Sequence, residues 1–405
     1  MHPSHFSKGT AAQINPYSGV GSPAADGGIL MPMKVGLLID HWDPRRGGAE
    51  ACLDLLARHL VRAGHEVCIV GASAQGELPG PFQCVRGMGL SRCVRERRLG
   101  RNMTAAARGL GCDVTVAVRH VEQPSVLWLH GGAHLATLEG RWRAAHGGRA
   151  LPEALAVRGR HRTFVDLERR ALAGAERGGA GRVICPSPLV AAELKRCHPK
   201  AAIPRVVIEN GVDLERFHPG LRADARAQLH SQLGLPTDLP LIVTGARNPL
   251  LKGVPHLLRA LNQVPGPWCF VLAGAKRTRA WVRRARRAGL RRESVRVLAD
   301  LAPEILAAGA DLCVQPTWRD TCSLATLEAL AAGTPVVTTA LSGSAPCVEQ
   351  AGGVVIPDPS CEDALAAAVT RSLAEPPSPE RVRAAVAGRG VGPWMEAVEA
   401  VLLES

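Results

Sequence analysis

The stretch Gln315-Pro-Thr-Trp-Arg-Asp-Thr-Cys-Ser-Leu-Ala-Thr-Leu-Glu-Ala-Leu-Ala-Ala-Gly-Thr-Pro-Val-Val-Thr-Thr339 decides the fold. An apolar run over 311–317 reads as a buried strand and leads into a polar loop. The spacing then predicts a helix over about 323–332, stopped by Gly333, and a second strand over 335–340. Strand, loop, helix and strand in that order form the repeating unit of a doubly wound parallel sheet. Asp320 and Glu328 flank the loop and the helix start. Free backbone N–H groups at a helix start attract anions. Acids beside an anion site suit a phosphorylated, hydroxyl-rich ligand such as a nucleotide sugar. A capping Asp and a surface Glu on an ordinary helix fit the same pattern.

The same alternation extends in both directions. Lys34-Val-Gly-Leu-Leu-Ile-Asp40 is a parallel strand by length and branching. Leu53, Leu56, Leu60 and Val61 then recur at helical spacing, Gly64 ends that helix, and 66–71 is the next strand. Further strands are expected at 113–118, 125–129, 182–186 and 205–209. A second series begins at 239–246 and continues at 269–273, 295–299, 312–315 and 336–339. A very basic helix is expected at 277–290, and a last helix in the tail 393–403. The polar segment 213–238 separates the two series, with a boundary near Pro219. The expected organisation is a disordered leader over 1–32, then two Rossmann-like domains over 33–218 and 219–390. The tail 391–405 is expected to pack back on the first domain. Met31 or Met33 is a candidate start. Two such domains leave a cleft between the carboxyl ends of their strands, where ligands bind.

Bulk properties narrow the partners. At 405 residues the chain exceeds one ordinary core. A formal net charge of +13 favours anionic partners without choosing among them. A nucleic-acid module is not expected, because no recognisable basic module carries interleaved aromatics. The twelve cysteines form no Cys-x-x-Cys pair, which argues against a zinc ribbon or a disulfide framework and for a reducing, cytosolic setting. No apolar run is long enough for a spanning helix.

Several residues can carry chemistry. Gly47 and Gly48 precede the first helix and let a phosphate or sugar approach the backbone, though a tight turn explains them equally well. The chain has no Gly-x-Gly-x-x-Gly, which counts against a nicotinamide dehydrogenase. Arg247 and Lys252 follow the first strand of the second half and can clamp a diphosphate. His130 ends a strand and is followed by Gly131-Gly132. Such a histidine points into the cleft, where it can bond a sugar hydroxyl or stabilise charge; His120 and His134 compete for that role. Asn210-Gly-Val-Asp213 is locally only a turn.

Together these pieces resemble the GT-B glycosyltransferases of retaining family 4, over about 34–403. Four signatures carry the resemblance in the family's order. They are Gly-Gly-Ala-Glu at 47–50, Ile208-Glu-Asn-Gly-Val-Asp-Leu-Glu-Arg-Phe-His-Pro219, the Arg-x4-Lys-Gly loop at 247–253, and the acid-x7-Glu segment with Glu-Ala-Leu-Ala-Ala-Gly-Thr-Pro-Val-Val at 328–337. Gly100-Arg-Asn102 and the basic segment 158–170 look like bacterial lipopolysaccharide core glucosyltransferases. The resemblance implies an α/β, GT-B fold and a hexosyltransferase, with UDP-glucose as donor and a lipid-linked or saccharide acceptor. Other family donors, such as GDP-mannose, and a GT-B binding protein without turnover remain as alternatives.

By resemblance, Arg247 and Lys252 would hold the donor diphosphate, Glu328 the ribose hydroxyls and Asp320 the transferred sugar. Gly47, Gly48 and the backbone at Thr321, Cys322, Ser323 and Leu324 would complete the donor cradle. His130 would stand beside the anomeric centre. The family's first acid is usually Glu; here Asp320 is one methylene shorter. No Asp-x-Asp motif is placed to hold a divalent ion, so neither metal nor cofactor is expected beyond the co-substrate. The run from Arg141 to Arg170, interleaved with Trp142 and Phe164, is expected either to dock on an anionic inner membrane face or to form a solvated basic surface.

Overall fold

The computed structural model describes residues 31–156 and 158–405. The expected leader lies outside the described residues except for Met31 and Pro32. In chain order the strands are β1 (Lys34–Leu38), β2 (His41–Trp42), β3 (Glu66–Gly71), β4 (Ser73–Ala74), β5 (Phe82–Cys84), β6 (Val114–Ala117), β7 (Val126–Trp128), β8 (Arg182–Cys185) and β9 (Arg205–Val207). They continue as β10 (Leu241–Gly245), β11 (Cys269–Ala273), β12 (Val295–Leu298), β13 (Leu312–Gln315), β14 (Val336–Thr339) and β15 (Val354–Ile356).

Two parallel sheets result. The first has the order β5-β3-β1-β6-β7-β8-β9, and the second β12-β11-β10-β13-β14-β15. β2 and β4 pair as a short ribbon. In each sheet the order turns back beside the first strand, at β1 or β10, which opens a crevice above the strand ends. Both sheets carry helices, so their central strands are near-continuous apolar runs. Val35, Leu37 and Leu38 are fully buried, as are Ile242, Phe270 and Val314. The strands predicted from apolar runs are present, mostly shorter at their carboxyl ends: 311–317 shrinks to β13. The three-residue strands β5 and β15 were not expected. β5 is an edge strand with exposed Gln83 and Cys84, so it lacks a period-two apolar signal.

Local signals explain the helices that matter. The helix Gly48–Arg62 starts from extended Gly47 and buries Leu53, Leu56 and Leu60. The helix Leu324–Ala331 is capped by Ser323, whose Oγ accepts from the N–H of Thr326. Gly333 terminates it at φ +75°, and a Cβ there would stand 2.7 Å from Pro379 Cβ. All twelve cysteines are free thiols.

The chain crosses between the sheets at 208–217 and returns at 383–394. Val212 bridges Gly390, and the Val212 N–H donates to Arg389 O at 2.8 Å. Gly211 permits this approach, since a Cβ there would lie 2.8 Å from Arg389 O and 2.9 Å from Trp394 Cβ. The last helix, Val391–Leu403, then lies against the first lobe. Trp394, Met395, Val398 and Leu402 share one core with Val35, Leu37, Leu53 and Leu56. Trp394 meets Trp128 edge-on at 6.1 Å between ring centres. Glu399 fastens the helix further by accepting from His59 at 2.7 Å and His65 at 2.9 Å. Truncating the 2% exposed Trp394 removes a large apolar body from this junction. Trp394→Ala is expected to cost about 3–5 kcal/mol in urea unfolding. A loss below about 1 kcal/mol would show that the tail helix does not stabilise the first lobe.

Candidate functional site

The site grows from the loop between β13 and the helix Leu324–Ala331. Three of the four residues 319–322 of this loop bond to the first lobe. The Arg319 guanidinium donates to both carboxylate oxygens of Glu193, at 2.8 and 2.6 Å, and to Gly131 O at 3.1 Å. Thr321 Oγ1 donates to His130 O at 2.8 Å, and Ser187 Oγ donates to Thr321 O at 2.6 Å. Asn210 Nδ2 donates to Cys322 O at 3.1 Å. Asp320 lies within this series and turns the other way, where its carboxylate accepts from Lys252 Nζ.

Glycines make room for these contacts. A Cβ on Gly132 would fall 2.0 Å from Arg319 Nη2, and one on Gly140 would fall 2.7 Å from Arg319 Cβ. A Cβ on Gly343 would strike Thr321 O at 1.9 Å. The starts of two helices approach each other here, with the Cβ position of Gly48 3.4 Å from Leu324 Cδ1. Arg247 Nη1 donates to Arg46 O at 2.8 Å, next to Gly47.

The predicted residues therefore distribute as follows. Gly48 and Leu324 are in contact, Arg247 reaches the loop that holds Gly47, and Lys252 holds Asp320. Thr321, Cys322 and Ser323 follow Asp320, with Ser323 N–H donating to Ser344 Oγ at 2.8 Å. Glu328 is one helical turn beyond Leu324 and half-buried. Arg247 and Lys252, read from the sequence as one clamp, each have a different polar partner. The thiol of Cys313, pushed up to about 12 by burial, feels Glu328 on one hand and Lys252 on the other. Burial also raises the thiol of Cys52 in the helix Gly48–Arg62, with Cys322, Glu328 and Glu50 adding to it.

Among the described residues, two groups near this loop have no hydrogen-bond partner at the atoms that matter: Glu328 at its carboxylate and His130 at Nε2. Burial pushes the carboxyl of Glu328 up to about 7; Arg216 opposes this and Glu304 adds to it. Burial holds the His130 imidazole down at about 3, so it is neutral near pH 7, and its Nε2 has no hydrogen-bond partner. Its ring lies 4.2 Å from that of Trp128. The competing histidines are engaged elsewhere. His120 Nε2 bonds Glu168 at 2.9 Å, and His134 stacks on Phe164 and meets His161 at 3.3 Å. Trp142 stacks on His146, so neither aromatic of the basic run stands free.

Sequence reasoning missed Arg319, Glu193 and Ser187. No short-range signal joins 193 to 319. The only hint was an arginine directly before Asp320.

Two outcomes follow from this geometry. The side chains of Arg319 and Glu193 are 9% and 12% exposed, so removing one strands the other's charge. Arg319→Ala is expected to cost about 3–5 kcal/mol, and the Arg319→Ala/Glu193→Ala pair clearly less than the sum. Additive losses in urea melts would show that the two do not act as a unit. For Glu328 the folded pKa exceeds the carboxyl's ordinary value of 4.5, so the native state binds its proton more tightly than the unfolded chain. This group's stabilisation is present at low pH and lost as pH rises through about 7. The melting-temperature gain of Glu328→Gln over the native protein should therefore grow between about pH 5 and pH 8. A gain independent of pH would contradict the raised pKa.

Comparison with known proteins places this geometry. The family profile described as Glycosyltransferase Family 4 matches residues 46–216, and that described as Glycosyl transferases group 1 matches residues 240–375. A D-inositol 3-phosphate glycosyltransferase of Xylanimonas cellulosilytica is 35% identical over 165 residues, covering 38% of this chain and 37% of that protein. Across three such relatives the chain spans between 37% and 46% of their length. A GDP-mannose-dependent alpha-(1-6)-phosphatidylinositol dimannoside mannosyltransferase of Mycobacterium tuberculosis is 26% identical, covering 91% of this chain and 95% of that protein. Among solved structures, WaaG, a glycosyltransferase involved in lipopolysaccharide biosynthesis, superposes with a TM-score of 0.77 at 18% identity, covering 91% and 99% of the two chains. Anabaena Alr3699/HepE in complex with UDP-glucose gives 0.68 at 18% identity, covering 92% and 100%. The two sheets form the GT-B fold. Each lobe is thus matched by a glycosyltransferase profile in the expected order: the chain carries a Glycosyltransferase Family 4 domain followed by a Glycosyl transferases group 1 domain.

Proposed function

We propose that the protein is a retaining hexosyltransferase that moves glucose from UDP-glucose to a lipid-linked or saccharide acceptor at an anionic membrane face. The observation that carries this reading is the donor loop. There an acid already held by a lysine, a capped helix start and, one turn into that helix, a half-buried carboxylate without a hydrogen-bond partner among the described residues follow one another. Among the described residues no helix is long and apolar enough to cross a membrane.

In this reading Asp320 bonds hydroxyls of the transferred hexose, and Lys252, now paired with Asp320, shares its charge with the donor diphosphate. Arg247 exchanges the Arg46 carbonyl for the same diphosphate. Glu328 accepts from the ribose hydroxyls, for which it must be ionised. As the glycosidic bond breaks, negative charge gathers on the leaving nucleoside diphosphate. The two cations, once Arg247 has turned from the Arg46 carbonyl, and the helix start at Leu324 meet that charge, which lowers the barrier with no metal step required. Neutral His130 offers Nε2 to an acceptor or donor hydroxyl without adding a competing positive charge. Attack from the face of the departing diphosphate accounts for retention with no protein nucleophile.

A second reading, GDP-mannose as donor, is favoured by the mannosyltransferase relative that aligns over 95% of its length. A melting-shift panel of UDP, UDP-glucose, GDP and GDP-mannose decides between them. UDP-glucose at a hundredfold excess over Kd should stabilise by about 2.7 kcal/mol, a shift of several degrees. Lys252→Ala, with its fold intact by circular dichroism, should lose most of that shift and the release of UDP. A response to GDP-mannose alone would replace the glucose reading, and no response to any nucleotide would end the transferase proposal.

A further inference from the structure

The chain turns outward between β5 and the helix Arg92–Gly109. Met88 is 75% exposed there, Leu90 is fully exposed and Val94 is 38% exposed. Three large apolar side chains within seven residues form a projecting patch, unlike single surface leucines. The loop beneath them is tied down. Arg98 Nη1 donates to Met88 O at 3.0 Å, Arg95 Nη1 to Gly89 O at 3.2 Å and Asn102 Nδ2 to Arg86 O at 2.8 Å. The N–H of Val94 is capped by Ser91 Oγ at 3.2 Å. Gly87 is pressed against the helix, since a Cβ on it would stand 2.0 Å from Arg95 O. The tip is therefore held out by structure.

Its surroundings are strongly cationic. Arg86, Arg92, Arg95, Arg97, Arg98 and Arg101 are all exposed. The one acid in this segment, Glu96, turns inward and accepts from Arg119 at 3.1 Å. Arg97 lies 3.9 Å from Asp166, which joins this segment to the helix Gly159–Ala171 and its exposed Arg160, Arg162 and Arg169.

We infer that Met88, Leu90 and Val94 form a membrane-docking tip, which enters the headgroup–acyl boundary of an anionic bilayer while the arginine collar lies among the lipid phosphates. The tip is convex and offers no groove of its own. A folded acidic partner would need a cavity shaped to it, whereas a fluid bilayer conforms to any projection. Arginine stems lie along apolar surface while their heads stay at the phosphates, so collar and tip reinforce each other. The inference deepens, and rests on, the reading of an acceptor presented at a membrane face. It also moves the anchor from Arg141–Arg170 as a whole, whose aromatics are stacked internally, to the 86–101 segment.

Flotation of the full chain with vesicles tests it. Native protein should float with phosphatidylglycerol-containing vesicles, weakly with pure phosphatidylcholine, and less as salt is raised. Met88→Asp/Leu90→Asp changes side chains that are already in water, so folding should be unaffected, and binding should fall roughly tenfold or more. Arg86→Ala/Arg92→Ala should lower both binding and its salt dependence. Arg141→Ala/Arg149→Ala, on the other basic run, should leave most binding in place. Full binding by the aspartate variant, loss confined to the Arg141/Arg149 variant, or no binding by native protein would each overturn the inference. The nucleotide melting shift of the aspartate variant, expected to be native, separates failure of the tip from failure of the donor reading.

Discussion

The structure depends on a polar seam, in which Arg319, Thr321 and Cys322 of one loop are each bonded to the first lobe. Arg319 reaches Glu193 and Gly131 O, Thr321 reaches His130 O and Ser187, and Cys322 O receives Asn210. Each contact fixes one side of the proposed reaction centre against the other. Gly131 and His130 belong to the first lobe's strand-end loop, whereas Asp320 sits between Arg319 and Thr321 in the second. Moving the lobes apart breaks these bonds together. An apolar seam of equal area would seal the lobes permanently, because exposing it to water is costly. Hydrogen bonds can be exchanged for water at modest net cost, so this seam can open and reform. The Arg319–Glu193 pair is the exception: both side chains are largely buried, so parting them leaves a charge without its partner.

The fold was legible where physics acts locally. Central parallel strands must be apolar on both faces, so Val35–Leu38, Leu241–Val243 and Val336–Val337 announced themselves. Edge strands such as β5 bury little and did not. The donor loop was legible because strand, cap, helix and Gly333 follow one another along the chain. The partners that close it were not, since Glu193 and Ser187 come from a distant helix and its cap. Asn210-Gly-Val-Asp213 read as a turn, and it is one: Asp213 Oδ1 accepts from the N–H groups of Glu215 and Arg216. Its larger role appears only in three dimensions, where Gly211 admits the returning chain and Asn210 binds Cys322 O. Composition showed the cations of Arg141–Arg170 but not their neighbours. A lone Met88 or Leu90 among arginines carries no periodicity, so only the folded surface reveals the tip.

Two glutamates show how the fold separates structural charge from available charge. Glu168 is completely buried, which alone would raise its pKa. Hydrogen bonds from His120 at 2.9 Å and His198 at 2.7 Å outweigh that and hold it well below the usual range. It also accepts the N–H of His134 at 2.9 Å, pinning the start of the helix His134–Ala145 just after Gly131-Gly132. Glu328 is half-buried yet shifted the opposite way, because burial raises it and no hydrogen-bond donor among the described residues answers it. His130 pairs with it in this respect, as an imidazole whose Nε2 faces no partner. The fold satisfies Glu168 three times over, while Glu328 and the Nε2 of His130 have no hydrogen-bond partner among the described residues; in the proposed reading those two groups are kept for the ligand. Desolvating them costs stability, and a hydroxyl-rich ligand that donates to the carboxylate and bonds the imidazole returns it.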